Sequence, residues 1–414
     1  MNAISPSFGC TAGGLPFRDA LARVLALAEG WLGAEEVPLD ACAGRIAAAP
    51  FAARLDLPGF DRSAMDGYAV RTADLTPGMG LPVTGRTAAG DPPGRLTPGT
   101  AHRILTGAAL PKGADAVVAQ EHVLRECGTV CITDVPSPGT NIRRRREDIA
   151  AGQRLIEKGT RLDWRHVAVL AAQGARSILV RRRPRVALLS SGRELSRSGK
   201  RPAPGQIHDS NLPMLTALLH AWGADVRPCP LVPDDIAAMR AALGTAAEGA
   251  DLVLTTAGIS VGDEDNVRAA LRDLGGSLAV LQVAMKPGKP LAAGRLGDAV
   301  FIGLPGNPQA ALAGAVGFVR PLLARMAGCD VPRPVTVRTG FALRRKPGRT
   351  EFIPVRLTVC DGCLRVERTG PDGSGRLLPL LAATGFALIP EDVAVVQERD
   401  LLAVLPFVAG GPAH

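Results

Sequence analysis

Several carboxylates follow strand-like apolar runs, where they could bind a metal ion beside a substrate. Glu194 follows the run 186–189, Asp234 follows 226–231, and Asp263, Glu264 and Asp265 follow 252–254. Because ligands of an open α/β sheet bind beyond the carboxyl ends of its strands, we expect these acids to gather along one edge. Oxygen ligands suit Mg²⁺, which keeps waters and bridges substrate phosphates. Glu194, Asp234 and Asp265 are therefore predicted ligands of Mg²⁺ or another divalent cation.

The alternative is that each acid caps a following helix by accepting backbone hydrogen bonds. For Asp263 and Glu264 both interpretations stay open.

A second candidate for chemistry is the segment from Lys286 through Pro287, Gly288 and Lys289 to Pro290. Proline stiffens such a loop, and glycine leaves its backbone open to a ligand. Two lysines fixed there would attract a small oxyanion. The alternative is a plain surface turn.

The chain carries a net charge of +9, from 48 Lys and Arg against 39 Asp and Glu. Such an excess can attract nucleic acid, an anionic membrane or small polyanions, or it can be general surface charge. Aromatic residues make up 3% of the chain, too few for the stacking platforms of single-stranded nucleic-acid binding. The arginine runs 143–146 and 181–183 therefore favour a small molecule that carries phosphate.

Two cysteine pairs each bracket a turn signal. Cys127 and Cys131 lie around Gly128, and Cys360 and Cys363 lie around an Asp-Gly pair. Such turns between β-rich stretches predict hairpins. The alternative is one zinc site made from both pairs.

The elements that would position these residues divide the chain into regions of different pattern. Between about 185 and 328, strand-like runs alternate with helical ones, which indicates a parallel sheet with helices on both faces. The chain before about 185 contains a helical pattern and a stretch of short strand-like runs broken by Gly and Pro. The chain after about 333 again contains short strand-like runs. We predict a multi-domain α/β protein with a central parallel-sheet domain, an N-terminal helical plus β-rich region and a C-terminal β domain. The predicted bounds are 15–50 with 149–180 for a helical domain, 51–148 for an inserted β-rich module, 183–328 for the central domain and 333–409 for the last.

No membrane span is expected, because the longest apolar stretch, 310–319, is cut by Arg320 and Pro321. The first residues lack the basic start and apolar core of a signal peptide. These observations predict a cytoplasmic protein.

Seven segments, in this order, resemble the molybdopterin molybdenumtransferase family, and they span most of the chain. They are SAMDGYAV at 63–70, RILTGA at 103–108 followed by GADAVV at 113–118, NIR at 141–143 with ED at 147–148, SG at 191–192 with EL at 194–195, SVGD at 260–263 with Asp265, KPGKP at 286–290 and LPGNP at 304–308. The resemblance implies a homodimer that joins molybdate to adenylylated molybdopterin with a divalent cation and releases AMP. It also implies contact with the adenylylating protein and with acceptor molybdoenzymes, and none with nucleic acid or membrane.

The resemblance also assigns roles to residues. Asp66, Thr106 and Asp148 match positions on a β-rich module that faces the partner's active site. Glu194, Asp234 and Asp265 match acids near the metal and the adenylate. Residues of the molybdate site are matched by Lys286, Lys289, Pro290 and Ser374.

The chain departs from the family pattern at several positions. Arg193 and Arg146 replace residues without positive charge, which suits anionic substrates. Gln282 stands where a basic residue is usual, Ala310 where Ser is usual, and Pro354 where Arg is usual. Arg356, two residues beyond Pro354, is the candidate substitute cation for the molybdate site. The competing function is a paralogue that binds the pterin or another protein without turnover.

Overall fold

The computed structural model describes residues 14–28, 30, 32–197, 199, 201–257, 266–360, 362–371 and 373–408. Its centre is a six-stranded sheet with helices on both faces. In spatial order the strands are Asp225–Pro228, Arg185–Ser190, Leu252–Thr256, Ala299–Leu304, Ala292–Leu296 and Ser277–Leu281. The helices are Asn211–Ala221, Ile236–Ala247, Asn266–Asp273 and the continuous helix Pro308–Ala327, here called the core helix.

The inner strands of this sheet are buried on both faces. In the strand Arg185–Ser190, Val186 and Leu188 face the core that contains the core helix. Ala187 and Leu189 face a second core under the helices Ile236–Ala247 and Asn266–Asp273. Burial on both faces is why this strand reads as a nearly continuous apolar run.

The central sheet is mixed, which corrects the expectation of a purely parallel one. Four strands are mutually parallel, but Ala292–Leu296 and Ser277–Leu281 run antiparallel to their neighbours. The cause is the two-residue connection Gly297-Asp298, where Gly297 has φ +58°. So short a turn can join only antiparallel strands. The rest of the predicted fold class is confirmed, with an N-terminal helical plus β-rich region and a C-terminal β domain.

A small N-terminal domain is built from two separated stretches of chain. The helix Trp164–Ala172 begins with a capping box, in which Asp163 accepts backbone hydrogen bonds and His166 reciprocates. It packs with the antiparallel strands Ala34–Pro38 and Ser177–Arg181. The remaining elements of these stretches are the helix Phe17–Ala26, the 3₁₀ turn Leu39–Ala41 and the paired strands Phe51–Ala52 and Arg154–Ile156.

The β-rich module between these stretches contains a second six-stranded sheet. Its strands, in spatial order, are Ala116–Ala119, Gly67–Val70, Ala101–Ile104, Gly80–Thr87, Thr129–Ile132 and Val123–Glu126. The short pair Arg62–Ser63 and Ile142–Arg143 and the 3₁₀ turns Thr72–Asp74 and Gln120–His122 complete it. Both cysteine pairs lie on hairpins, as predicted: Cys127 joins two of these strands, and Cys360 pairs with Cys363 in the last domain.

The C-terminal domain is a sheet that closes on itself. Its strands are Thr350–Cys360, Cys363–Arg368, Val335–Thr339, Leu401–Pro406 and Gly385–Ile389, and the last of these pairs again with the first. The pair Leu343–Arg344 and Val395–Val396 and the helix Leu378–Ala382 lie beside it. A sixth strand, Met285–Lys286, comes from the central region and pairs with Thr350 and Glu351. The chain positions that divide the domains stay predictions.

The core helix is long and apolar enough to cross a membrane, but 94% of its most apolar window is buried inside the protein. A π-helical turn, Ala315–Val319, interrupts it just before Arg320. Phe318 from this turn meets Phe17 edge to face, with ring centroids 5.2 Å apart, and Phe17 meets Phe352 at the same distance. The core helix therefore joins the first helix, the central sheet and the C-terminal domain in one core.

Candidate active site

The carboxyl ends of the parallel strands lie side by side. The Ser190 and Thr256 hydroxyls at two of these ends are 3.1 Å apart and buried. Ser191 forms an isolated parallel bridge with Val232, so the loops after their strands are neighbours. Beyond the strand Ala299–Leu304, the loop carbonyl of Gly306 accepts a 2.6 Å hydrogen bond from the Asn211 side chain.

Glu194 and Asp234 lie on these neighbouring loops and form what we call the acidic edge. The Glu194 carboxylate folds back over Gly192, where a side chain's Cβ would come within 2.4 Å of it. Gly192 also has φ +148°, so only glycine suits this position. Asp234 accepts a 2.8 Å hydrogen bond from the Asn266 side chain and lies 3.6 Å from the Arg193 guanidinium.

Asp234 does not cap the helix that follows it, because the adjacent Asp235 does so. Asp235 is the N-cap of the helix Ile236–Ala247, and its side chain accepts a 2.8 Å hydrogen bond from the Ala238 backbone. Asp234 is thereby left to face the Arg193 loop. Asp263, Glu264 and Asp265 lie outside the described residues.

The acidic edge fits a magnesium ion in the chemistry of its donors. Within the described parts of the chain, no group of three or more His, Cys, Asp or Glu side chains could hold a metal alone. Mg²⁺, however, is commonly bound by one or two carboxylates together with substrate phosphates and waters. Glu194 and Asp234 supply two such carboxylates on adjoining loops.

The predicted oxyanion loop borders a cavity of about 480 Å³ between the central and C-terminal domains, here called the lysine cavity. Lys286, Lys289, Pro290 and Ser374 all line it, so the structure brings four predicted substrate residues together. Gly288 has φ +111°, and a Cβ there would lie 3.3 Å from the Met285 side chain. Glycine is therefore needed to bend this loop.

The two lysines differ in electrostatic environment. The Lys286 ammonium lies 2.6 Å from the Glu351 carboxylate, which is 7% exposed and also lies 3.3 Å from Arg345. Across the residues that the structure describes, Lys289 has no such carboxylate partner within 4 Å. Lys289 is thus the better placed of the two to bind an anion.

A third cation of the lysine cavity is Arg349, which the sequence analysis missed. It lies directly before the strand Thr350–Cys360, and only the pairing of this strand with Met285–Lys286 brings it to the cavity, so no sequence pattern pointed to it. Arg356, the cation predicted instead, is exposed opposite Glu367 in the hairpin and is not part of the cavity lining. Ala310 and Pro354, two of the departures from the family pattern, do line it.

Ser374 is held in the lysine cavity through the start of the core helix. The Gln309 backbone donates a 3.0 Å hydrogen bond to the Ser374 carbonyl oxygen. The Gln309 side chain is buried and donates to the Arg376 carbonyl oxygen at 2.7 Å. These bonds fix one wall of the cavity onto the core helix.

Asp66 and Thr106 form a separate pair on the β-rich module. The Asp66 carboxylate accepts hydrogen bonds from the Thr106 hydroxyl at 2.6 Å and from the Thr106 backbone at 2.7 Å. These bonds, and to a smaller extent the charge of Arg103, hold the pKa of Asp66 below its usual value. Asp148 is exposed elsewhere on the module, and its backbone donates to the Leu57 carbonyl oxygen. No described residue between 51 and 148 lines the lysine cavity.

Comparison with known proteins covers nearly the whole chain. Three family models match: the MoeA N-terminal region (domain I and II) over residues 15–174, the probable molybdopterin binding domain over 187–325, and the MoeA C-terminal region (domain IV) over 336–407. A molybdopterin molybdenumtransferase of Haemophilus influenzae is 35% identical over 90% of this chain and 94% of its own length. A relative with the same name from Nostoc sp. is 37% identical over 89% of this chain and 88% of its own.

Comparison with solved structures points to the same family as the sequence comparisons. A solved structure of the molybdopterin biosynthesis MoeA protein from Pyrococcus horikoshii OT3 superposes with a TM-score of 0.82 at 29% identity. The superposition covers 94% of this chain and 99% of that one. The chain therefore belongs to the molybdopterin molybdenumtransferase family, enzymes of molybdenum cofactor biosynthesis.

Proposed function

We propose that this protein joins molybdate to the dithiolene of adenylylated molybdopterin with the help of Mg²⁺ or another divalent cation, and releases AMP. The observation that carries the proposal is the lysine cavity, where Lys289 and Arg349 offer cations to a small dianion. We place the reaction in the cytoplasm, and we expect the adenylylating protein and acceptor molybdoenzymes as partners.

Each group in the chain would have a distinct task. Lys289 and Arg349 would hold the molybdate oxygens, and Glu351 would orient the Lys286 ammonium beside them. Glu194 and Asp234, with Asp265, would hold the divalent cation at the acidic edge. A cation bound there supplies positive charge that stabilises charge developing on the substrate. The glycine-opened loops would let the backbone approach the pterin and its pyrophosphate.

The oxyanion assignment predicts a selective defect in Lys289→Ala. Loss of a charged hydrogen-bond donor should raise the molybdate concentration for half-maximal rate by about tenfold or more. Binding of adenylylated molybdopterin should change much less. Separate titrations of molybdate and pterin measure the two effects, with the exposed Lys112→Ala as a control that removes the same charge.

The competing assignment is that the lysines hold pterin phosphate, with Gln282 marking a weakened molybdate site. A defect of Lys289→Ala confined to pterin affinity would support that assignment and contradict ours. A wild-type protein that binds the pterin but never turns over would instead indicate a scaffold paralogue.

The separate location of Asp66 and Thr106 leads us to propose a homodimer whose active sites are shared. If each site combines the Asp66 pair of one subunit with the acidic edge of the other, Asp66→Ala and Asp234→Ala subunits should complement each other. Random mixing makes half of the dimers mixed, each with one intact site, so about a quarter of wild-type activity should return. Mixed dimers that stay inactive after subunit exchange has been demonstrated would indicate self-contained subunits.

A further inference from the structure

A second cavity, of about 630 Å³, lies at the amino ends of the parallel strands of the central sheet. The acidic edge lies at the carboxyl ends of the same strands. Residues 181–184 and 221–223 line the cavity, and they precede the strands Arg185–Ser190 and Asp225–Pro228. Glu194 and Asp234 follow the other ends of these strands. A six-residue strand spans about 20 Å, so the two places are well separated. We call this space the arginine cavity.

The walls of the arginine cavity come from three parts of the chain. The loops 44–46 and 159–161 of the N-terminal domain form one side, and the second half of the core helix forms another. Val408, beyond the last strand, closes a third. Its volume is within the range of about 300–1,000 Å³ that is usual for small-molecule sites.

The lining carries a strong excess of positive charge. The arginines in the lining are Arg45, Arg161, Arg181, Arg182, Arg183 and Arg320. Arg45 is paired with Glu35, and Arg182 binds Asp251 through two hydrogen bonds of 2.7 Å. Taking the described residues together, Arg161, Arg183 and Arg320 have no carboxylate within ion-pair distance, and Asp330 is the one acid of the lining.

Arg320 is a built part of this cavity rather than a mobile surface side chain. It is 7% exposed, donates to the Pro406 carbonyl oxygen and lies 5.9 Å from the centre of the Trp222 ring. The π-helical turn Ala315–Val319 directly precedes it, and such turns are frequent at functional sites. Burial, and then the nearby charge of Arg161, lower the pKa of Arg320 from its usual value. A fixed, buried guanidinium without a carboxylate is costly unless an anion accompanies it.

We propose that the arginine cavity binds a small molecule carrying a phosphate group, at a site separate from the lysine cavity and the acidic edge. The planar guanidinium fork matches phosphate oxygens bidentately, which favours phosphate over a simple halide. Three guanidiniums against the Asp330 carboxylate leave an excess that matches a dianion. A cavity of this size, with walls on three sides, suits a small molecule rather than a nucleic-acid strand, which needs a continuous groove. The proposal does not depend on the reaction assigned to the lysine cavity.

The test uses inorganic pyrophosphate as the probe, measured by calorimetry on the full chain. All variants carry Lys289→Ala, so that binding in the lysine cavity contributes little. Arg161 and Arg183 are exposed, so replacing both with Ala should leave the fold intact, which equal thermal transitions would verify. Their loss should weaken pyrophosphate binding about tenfold or more.

The matched control removes the same charge elsewhere. Arg344 and Arg18 are exposed and lie outside the arginine cavity, so the Arg344→Ala, Arg18→Ala pair should retain the original affinity. Equal weakening in both double variants would mean that pyrophosphate senses only the general charge of the surface, and the proposal would fail. Unchanged affinity in the Arg161→Ala, Arg183→Ala variant would place the anion elsewhere and overturn it as well.

Discussion

Phe318→Ala is expected to lower the free energy of unfolding by about 3–5 kcal/mol, the usual cost of removing a buried aromatic ring from a core. Phe318 is fully buried, and its ring packs edge to face on Phe17. Phe17 in turn packs on Phe352, and Phe352 on Phe386, so the vacated space would lie where three regions of the chain meet. The surrounding structure is held from several sides and can collapse only partly into the space.

Chemical denaturation followed by circular dichroism measures this loss, in the transition that includes the central core. Phe60→Ala is the matched control, because Phe60 is 52% exposed on the β-rich module. Exposed substitutions of this kind usually change stability by about 0.5 kcal/mol or less. Equal shifts for the two variants would mean that the ring contacts of Phe318 contribute little to the core.

Asp234→Asn should reduce turnover by about two orders of magnitude or more, because it removes one charge from the proposed cation site. The substitution keeps the side chain's volume and its ability to accept the hydrogen bond from Asn266. The dependence of the rate on Mg²⁺ concentration should shift to higher concentrations in the same variant. Asp265→Asn is expected to have a similar effect.

The matched control for Asp234→Asn is Asp225→Asn, at the other end of the strands of the central sheet. Asp225 is an exposed acid at the first position of its strand, so Asp225→Asn removes the same charge far from the strand ends that carry Glu194 and Asp234. Its turnover and Mg²⁺ dependence should match the wild type. An Asp234→Asn enzyme with unchanged turnover at ordinary Mg²⁺ concentrations would remove Asp234 from the proposed cation site.

The central sheet shows what the sequence could and could not predict about the fold. Strands buried on both faces read as apolar runs, so Arg185–Ser190 and Leu252–Thr256 were predicted with their flanking helices. The antiparallel hairpin was missed because the alternation of strands and helices was extended across it. The decisive signal was local, a Gly-Asp turn only two residues long.

The candidate site shows a different limit. The positions of Glu194 and Asp234 could be predicted from the ends of the predicted strands, because residues that follow parallel strands all lie at the same edge of the sheet. The electrostatic environment of Lys286 depends on Glu351, which lies 65 positions later in the chain. The two side chains meet only because strands from two domains pair with each other. The choice of Arg349 over Arg356 likewise follows from strand register, and single-sequence patterns do not specify register between distant segments.

The strand Met285–Lys286 belongs to the sheet of the C-terminal domain although it precedes the core helix in the chain. The loop that carries both lysines is therefore fixed by residues that a ribosome adds only later. When residues up to about 333 have emerged from the ribosome, the central sheet can form, but Arg349, Glu351 and Ser374 have not yet emerged. A nascent chain of that length thus has no lysine cavity, and the oxyanion site proposed there can form only after Ser374 has been added.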